Sequence, residues 1–85
     1  MTRADDAILE FLLNEGNEEL VATPGVIEAN LPYTLSTVNQ RLRELKDENL
    51  ITYENEERAL YKLTTKGRAY LAGDLDAEEL ENDKE

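Results

Sequence analysis

Between positions 36 and 43 lie Ser36, Thr37, Asn39, Gln40 and Arg43, five side chains whose polar ends donate or accept hydrogen bonds. Placed on a helix of 3.6 residues per turn, Ser36, Gln40 and Arg43 share one side, and Thr37 and Asn39 flank it. Val38, Leu42 and Leu45 fall on the opposite stripe, with Leu35 at its border. A helix with this apolar back and this front can present hydrogen-bond pairs to a partner that is itself patterned. Asn and Gln pair bidentately with adenine and Arg with guanine, so the front suits base edges in a DNA major groove. By itself such a face equally suits a solvated surface helix. What precedes and follows it weights the two readings.

The helix needs elements to position it, and the chain supplies them in order. Ala4 to Asn14 reads as a first helix. Ala7, Ile8, Phe11 and Leu12 are at helical spacing, Leu9 and Leu13 widen the apolar face, and Asp5 and Asp6 complement the N-terminal dipole. Gly16 supplies a left-handed stop. Leu20-Val21 is a short extended piece. Thr23-Pro24 restarts a helix, a threonine cap followed by proline at the first helical position, running to Asn30 with Val26, Ile27 and Leu31 toward the core. Pro32-Tyr33 breaks it, and Thr34 caps the polar-fronted helix, which runs to about Glu48 with Asn49 taking the left-handed turn. Two short helices so joined form a helix-turn-helix pattern, which an ordinary helical hairpin also satisfies.

Leu50-Ile51-Thr52-Tyr53 and Ala59-Leu60-Tyr61-Lys62-Leu63 then alternate as strands around the polar turn Glu54-Asn55-Glu56-Glu57-Arg58. Thr64 caps a last helix returning Ala69 and Tyr70 to the core, and Gly73 ends it. Residues 1–73 therefore read as one mainly α domain with a small antiparallel β-hairpin, an α+β winged helix-turn-helix. Residues 74–85 read as an acidic tail in which Asp76 can cap a short helix carrying Leu80, fraying beyond Glu81.

Composition narrows the chemistry. The chain has 85 residues, no cysteine and no histidine, so thiolate chemistry, disulfides and the commonest general base and metal ligand are all missing. The carboxylates are scattered on solvated faces, with no nucleophile, phosphate loop or metal-spaced cluster. We expect no enzyme, cofactor, metal or small-molecule ligand. Tyr33, Tyr53, Tyr61 and Tyr70 sit beside apolar residues and read as packing. No apolar run reaches the roughly 20 residues a bilayer span needs and the first residues form no signal peptide, so a cytoplasmic location without membrane contact is expected.

The net charge of −11 opposes phosphate binding, but it is unevenly spread. Residues 1–34 carry one basic group against seven acidic, residues 73–85 the same, and residues 35–72 carry seven basic against six acidic. Arg41, Lys46, Arg58 and Lys62, near the polar-fronted helix and hairpin, are the candidates for phosphates. A guanidinium stem packed over the core edge is the other reading of Arg41. An acidic surface also suits a salt-rich cytoplasm, where the Debye length falls to about 3 Å at 1 M.

The order of these segments resembles winged helix-turn-helix transcription regulators, and more narrowly small haloarchaeal regulators of the phage phiH repressor type. The resemblance is carried by Asp5-Asp6-Ala7-Ile8-Leu9, Thr23-Pro24-Gly25-Val26-Ile27, Thr37-Val38-Asn39-Gln40-Arg41-Leu42, Asn49-Leu50-Ile51 and Tyr61-Lys62-Leu63-Thr64-Thr65-Lys66-Gly67. It implies a repressor-like protein that binds double-stranded DNA as a homodimer, with the helix from about 35 to 48 in the major groove. Ser36, Thr37, Asn39, Gln40 and Arg43 match the base-contacting role. Glu54, Glu56 and Glu57 stand where the family's wing is usually basic. A protein-interaction module or DNA mimic that has lost DNA binding is therefore the alternative.

Overall fold

The computed structural model describes residues 2–73 and orders them as α1 (Arg3–Leu13), α2 (Pro24–Asn30), α3 (Leu35–Asp47), β1 (Ile51–Asn55), β2 (Leu60–Leu63) and α4 (Thr65–Leu71). The expected acidic tail and the helix from Asp76 lie outside the described residues. Helices α1 and α3 pack on each other, α2 leans on α3, and the hairpin closes the core from below with α4 against α1. Ile8, Leu9 and Leu12 of α1, Ile27 of α2, and Val38, Leu42 and Leu45 of α3 meet Leu50, Ile51, Tyr61 and Leu63 in one buried cluster. Val26 departs from expectation: it is 48% exposed, because Ile27 alone of α2 reaches the core and Leu31 only flanks it.

Three of the four helices among the described residues start where the sequence places a threonine hydroxyl to accept the orphan N–H groups. Thr23 accepts from Val26 N–H, Thr34 from Thr37 N–H and Thr64 from Gly67 N–H, at 3.2, 3.2 and 3.0 Å. The fourth cap was not anticipated. Thr2 accepts from Asp5 N–H at 3.1 Å while the Asp5 carboxylate accepts from Thr2 N–H at 2.9 Å, a capping box at the head of α1. The helix stops at Asn14, whose backbone is left-handed at φ 50°, ahead of Gly16 at φ 85°. Asn49 also takes the left-handed turn, at φ 65°, after α3.

The hairpin is antiparallel, pairing Ile51 with Leu63, Thr52 with Lys62 and Tyr53 with Tyr61. A register shift between Tyr53 and Asn55 absorbs the turn, where Asn55 Oδ1 accepts from Arg58 N–H at 3.1 Å and Ala59 is left-handed at φ 53°. The extended Leu20-Val21 piece contributes less than a strand. Only Ala22 pairs with β2, exchanging both backbone bonds with Tyr61 at 3.0 and 2.8 Å. That bridge ties the segment before the helix pair to the wing.

Tyrosines pin the remaining corners. Tyr61 Oη donates to Tyr53 Oη at 3.2 Å, and Tyr70 Oη donates to Asp6 Oδ1 at 2.9 Å. Burial, and then these hydrogen bonds, push both Tyr61 and Tyr70 up to about 12. A raised folded value means the neutral phenols contribute their full stability below about pH 10, the unfolded tyrosine value. That contribution is lost as pH rises toward 12. In an alkaline NMR titration the ring carbons of Tyr61 and Tyr70 should still report phenol at pH 11. Ionisation of either at about pH 10 would show that the burial is not maintained in solution.

Candidate nucleic-acid interface

The polar front of α3 faces outward because its back does not. Val38, Leu42 and Leu45 are each at most 1% exposed, which fixes the rotation of the helix. Ser36, Asn39, Gln40 and Arg43 are exposed on the remaining surface, and Leu35 stands at its N-terminal margin at 46% exposure. Thr37 is half-buried and turned inward to the cap. Its hydroxyl accepts from Thr34 Oγ1 at 3.1 Å, while its N–H is held by the same threonine. Of the five candidate base contacts, four thus share an open surface and Thr37 sits at its edge, partly engaged.

The four candidate phosphate groups are not brought together. Arg41 points away from the open face and closes on α1. Its Nε donates to Asp5 Oδ1 at 2.7 Å and its Nη2 to Asp5 Oδ2 at 2.9 Å. The Asp5 side chain is 1% exposed and that of Arg41 22%. Burial on its own would raise the Asp5 pKa, and it is the largest single influence. The bonds from Arg41 and from the Thr2 backbone together outweigh it and hold the carboxyl below its ordinary value. This guanidinium is committed within the fold, and we assign it no phosphate.

Lys62 lies on the opposite face of the hairpin from Tyr61 and Leu63, since side chains alternate along a strand. Its ammonium is 2.7 Å from Glu54 Oε2, with both side chains more than 40% exposed. Such a pair is worth little and opens readily. Arg58 is exposed at the wing turn among Glu54, Glu56 and Glu57, which are exposed too. Lys46, in the last turn of α3, is the one of the four on the side where α3 meets the hairpin. Its ammonium sits over the Tyr53 ring, 5.2 Å from the centroid.

The sequence reads Tyr53 as core or hairpin packing. No periodicity links it to Lys46, because the left-handed turn at Asn49 separates the two segments and only the closed hairpin apposes them. No helix of the described residues is long and apolar enough to cross a membrane, and no cluster of carboxylates among them could hold a metal ion.

Comparison with known proteins agrees with this architecture. The family described as winged helix-turn-helix phage repressor matches residues 1–83. Among solved structures, the chain is similar to that of the PhiH1 repressor-like protein from Haloarcula marismortui. The two are 35% identical with a TM-score of 0.73, covering 91% of this chain and 83% of that one. No curated protein matches. With two capped helices, a hairpin directly after them and a family match over nearly its whole length, this chain belongs to the winged helix-turn-helix phage repressors.

Proposed function

We propose that the protein is a repressor-like transcription regulator that binds double-stranded DNA in a sequence-specific manner, with α3 in the major groove. The observation that carries this reading is the division of α3. Its back is sealed into the core, and its open surface is made of Ser36, Asn39, Gln40 and Arg43. Gln40 and Arg43 have the reach and the paired donors or acceptors to read adenine and guanine. Lys46, Arg58 and Lys62 would position the protein on phosphates, which carry no sequence information. Binding as a homodimer in the cytoplasm, without cofactor or catalysis, completes the proposal.

Arg43 gives the direct test. Arg43→Ala should cost about 1–3 kcal/mol on the preferred sequence and relax base preference at one position. Equal loss on every sequence would make Arg43 a phosphate contact, and no loss on any DNA would remove α3 from the groove.

The acidic wing favours a second reading. Glu54, Glu56 and Glu57 are all exposed at the tip, where they repel a phosphate backbone, as a protein-docking module or DNA mimic would allow. Selection from a random duplex pool, repeated from molar potassium chloride downward, separates the two. Enrichment of a sequence with two half-sites supports the dimeric regulator. No enrichment at any salt concentration where the protein stays folded transfers the function to a protein partner.

A further inference from the structure

The C-terminal end of α3 and the hairpin share a stack that the base-reading face does not use. Lys46 lies over the Tyr53 ring, 5.2 Å from its centroid. Tyr53 in turn lies against Tyr61, with centroids 4.8 Å apart and ring planes inclined by 32°. Tyr61 is 7% exposed and is fixed by its burial and by the backbone bridge to Ala22, and its hydroxyl also donates to that of Tyr53. The stack is therefore rigid from the core outward and ends in a cation at the surface.

An exposed lysine ordinarily samples many rotamers, and ordering it against a partner costs most of what the contact returns. Here two neighbours already restrict it. The face of an aromatic ring attracts the ammonium, and the last-turn position on α3 places it near the helix carbonyl ends. Arg43 lies one turn back on α3, close enough to the Tyr61 phenol to favour its ionised form slightly against the larger effect of burial. The ring thus stands where the base-reading face ends and the wing begins.

Resting on the DNA-binding reading above, we infer that Tyr53 is a positioning residue for DNA. Its ring seats the Lys46 ammonium at the junction of α3 and the wing, where it meets a backbone phosphate bordering the groove. The ring itself touches no nucleotide. Tyr53 acts on DNA only through Lys46, and its hydroxyl, already engaged with Tyr61, is dispensable for that role.

The test is a double-mutant cycle in DNA affinity using Tyr53→Leu and Lys46→Gln, with Tyr53→Phe as the conservative variant. The probe is the duplex enriched by selection, at a salt concentration where all variants are folded. Tyr53→Leu should weaken binding about two- to fivefold when Lys46 is present and leave it unchanged in the Lys46→Gln background. Tyr53→Phe should bind like the unaltered protein, and Lys46→Gln should reduce the salt slope by about 0.9.

Equal losses from Tyr53→Leu in both backgrounds would reduce Tyr53 to a support of the hairpin and overturn the inference. An unchanged salt slope in Lys46→Gln would overturn it as well, while leaving DNA binding by the unaltered protein intact. Failure of the unaltered protein to bind any duplex would overturn both readings together. Should Tyr53→Leu not fold, NMR of the unaltered protein decides. The ε-methylene protons of Lys46 should be shifted upfield by the ring in the free and DNA-bound states alike. A return to the solvent-exposed value on binding would show that the ring is not its seat.

Discussion

Replacing Arg41 with alanine should destabilise the protein by about 3–5 kcal/mol, because it strands the Asp5 carboxylate in a site that is 1% exposed. By the usual scaling for a domain of this size, the melting temperature should fall by more than about 10 °C. The cost comes from the unpaired charge, not from the intrinsic worth of the pair, and this distinction has its own consequence. The double variant Asp5→Leu/Arg41→Met removes both charges and fills the space with apolar groups. It should recover to within about 1–2 kcal/mol of the unaltered protein, since buried pairs often only balance their desolvation.

Acid gives the same effect an independent signature. In the unaltered protein Asp5 is held below its ordinary value. The stability it contributes is full above the unfolded carboxyl value of about 3.9 and is lost as pH falls through the lower folded one. In Arg41→Ala only the Thr2 bonds still oppose burial, so the Asp5 carboxyl protonates more readily than in the unaltered protein. The gap between the two proteins should therefore narrow as pH drops below about 4. Urea unfolding of both at pH 7 and pH 3.5 measures it, and a loss under about 1 kcal/mol at pH 7 would show the pair to be solvated.

The second large effect has a sign that helix propensity gets wrong. Gly67 is the third residue of α4, where alanine should ordinarily be better by about 1 kcal/mol. A Cβ at Gly67 would instead overlap the carbonyl oxygen of Leu50 and crowd Leu63 Cδ2 at 3.2 Å. The helix cannot ease away. Thr64 N–H donates to that same Leu50 carbonyl at 3.1 Å, and Thr64 Oγ1 donates to Asn49 O at 2.6 Å. Gly67→Ala should thus cost about 2–3 kcal/mol through backbone overpacking. Gly25→Ala is the internal control. Its nearest neighbour would be Thr23 Oγ1 at an ordinary 3.9 Å, and it should be neutral or stabilising by up to about 1 kcal/mol. Denaturation midpoints moving the same way for both would remove the steric account.

These two sites also mark the boundary of what the sequence could convey. Local signals were legible: Thr23, Thr34 and Thr64 each cap the helix their position predicts, and Asn49 turns left-handed where α3 ends. The stripe of Val38, Leu42 and Leu45 is legible from helical spacing and sets the outward face of α3. Contacts between distant segments were not legible. Asp5 carries the right charge for a helix start, and nothing in its neighbourhood announces a partner 36 residues away. Gly67 belongs to a recognisable Leu-Thr-Thr-Lys-Gly segment, but its reason lies in the approach of Leu50. Val26 followed the helical period and still faces outward, because α2 is too short and too peripheral to bury a whole face.

The hydrogen bond from Tyr70 to Asp6 spans 64 positions, and Arg68 reaches Glu19 across 49. Among the described residues, the first helix therefore finds its neighbour α4 only once that helix has been made. On a ribosome adding about 5–20 residues per second, the interval between Asp6 and Tyr70 lasts roughly 3–13 s. During that time Ile8, Leu9 and Leu12 await part of their cover. The nascent chain thus passes through a window in which its most apolar helix is incompletely shielded, and chaperones that hold short apolar segments would find it there.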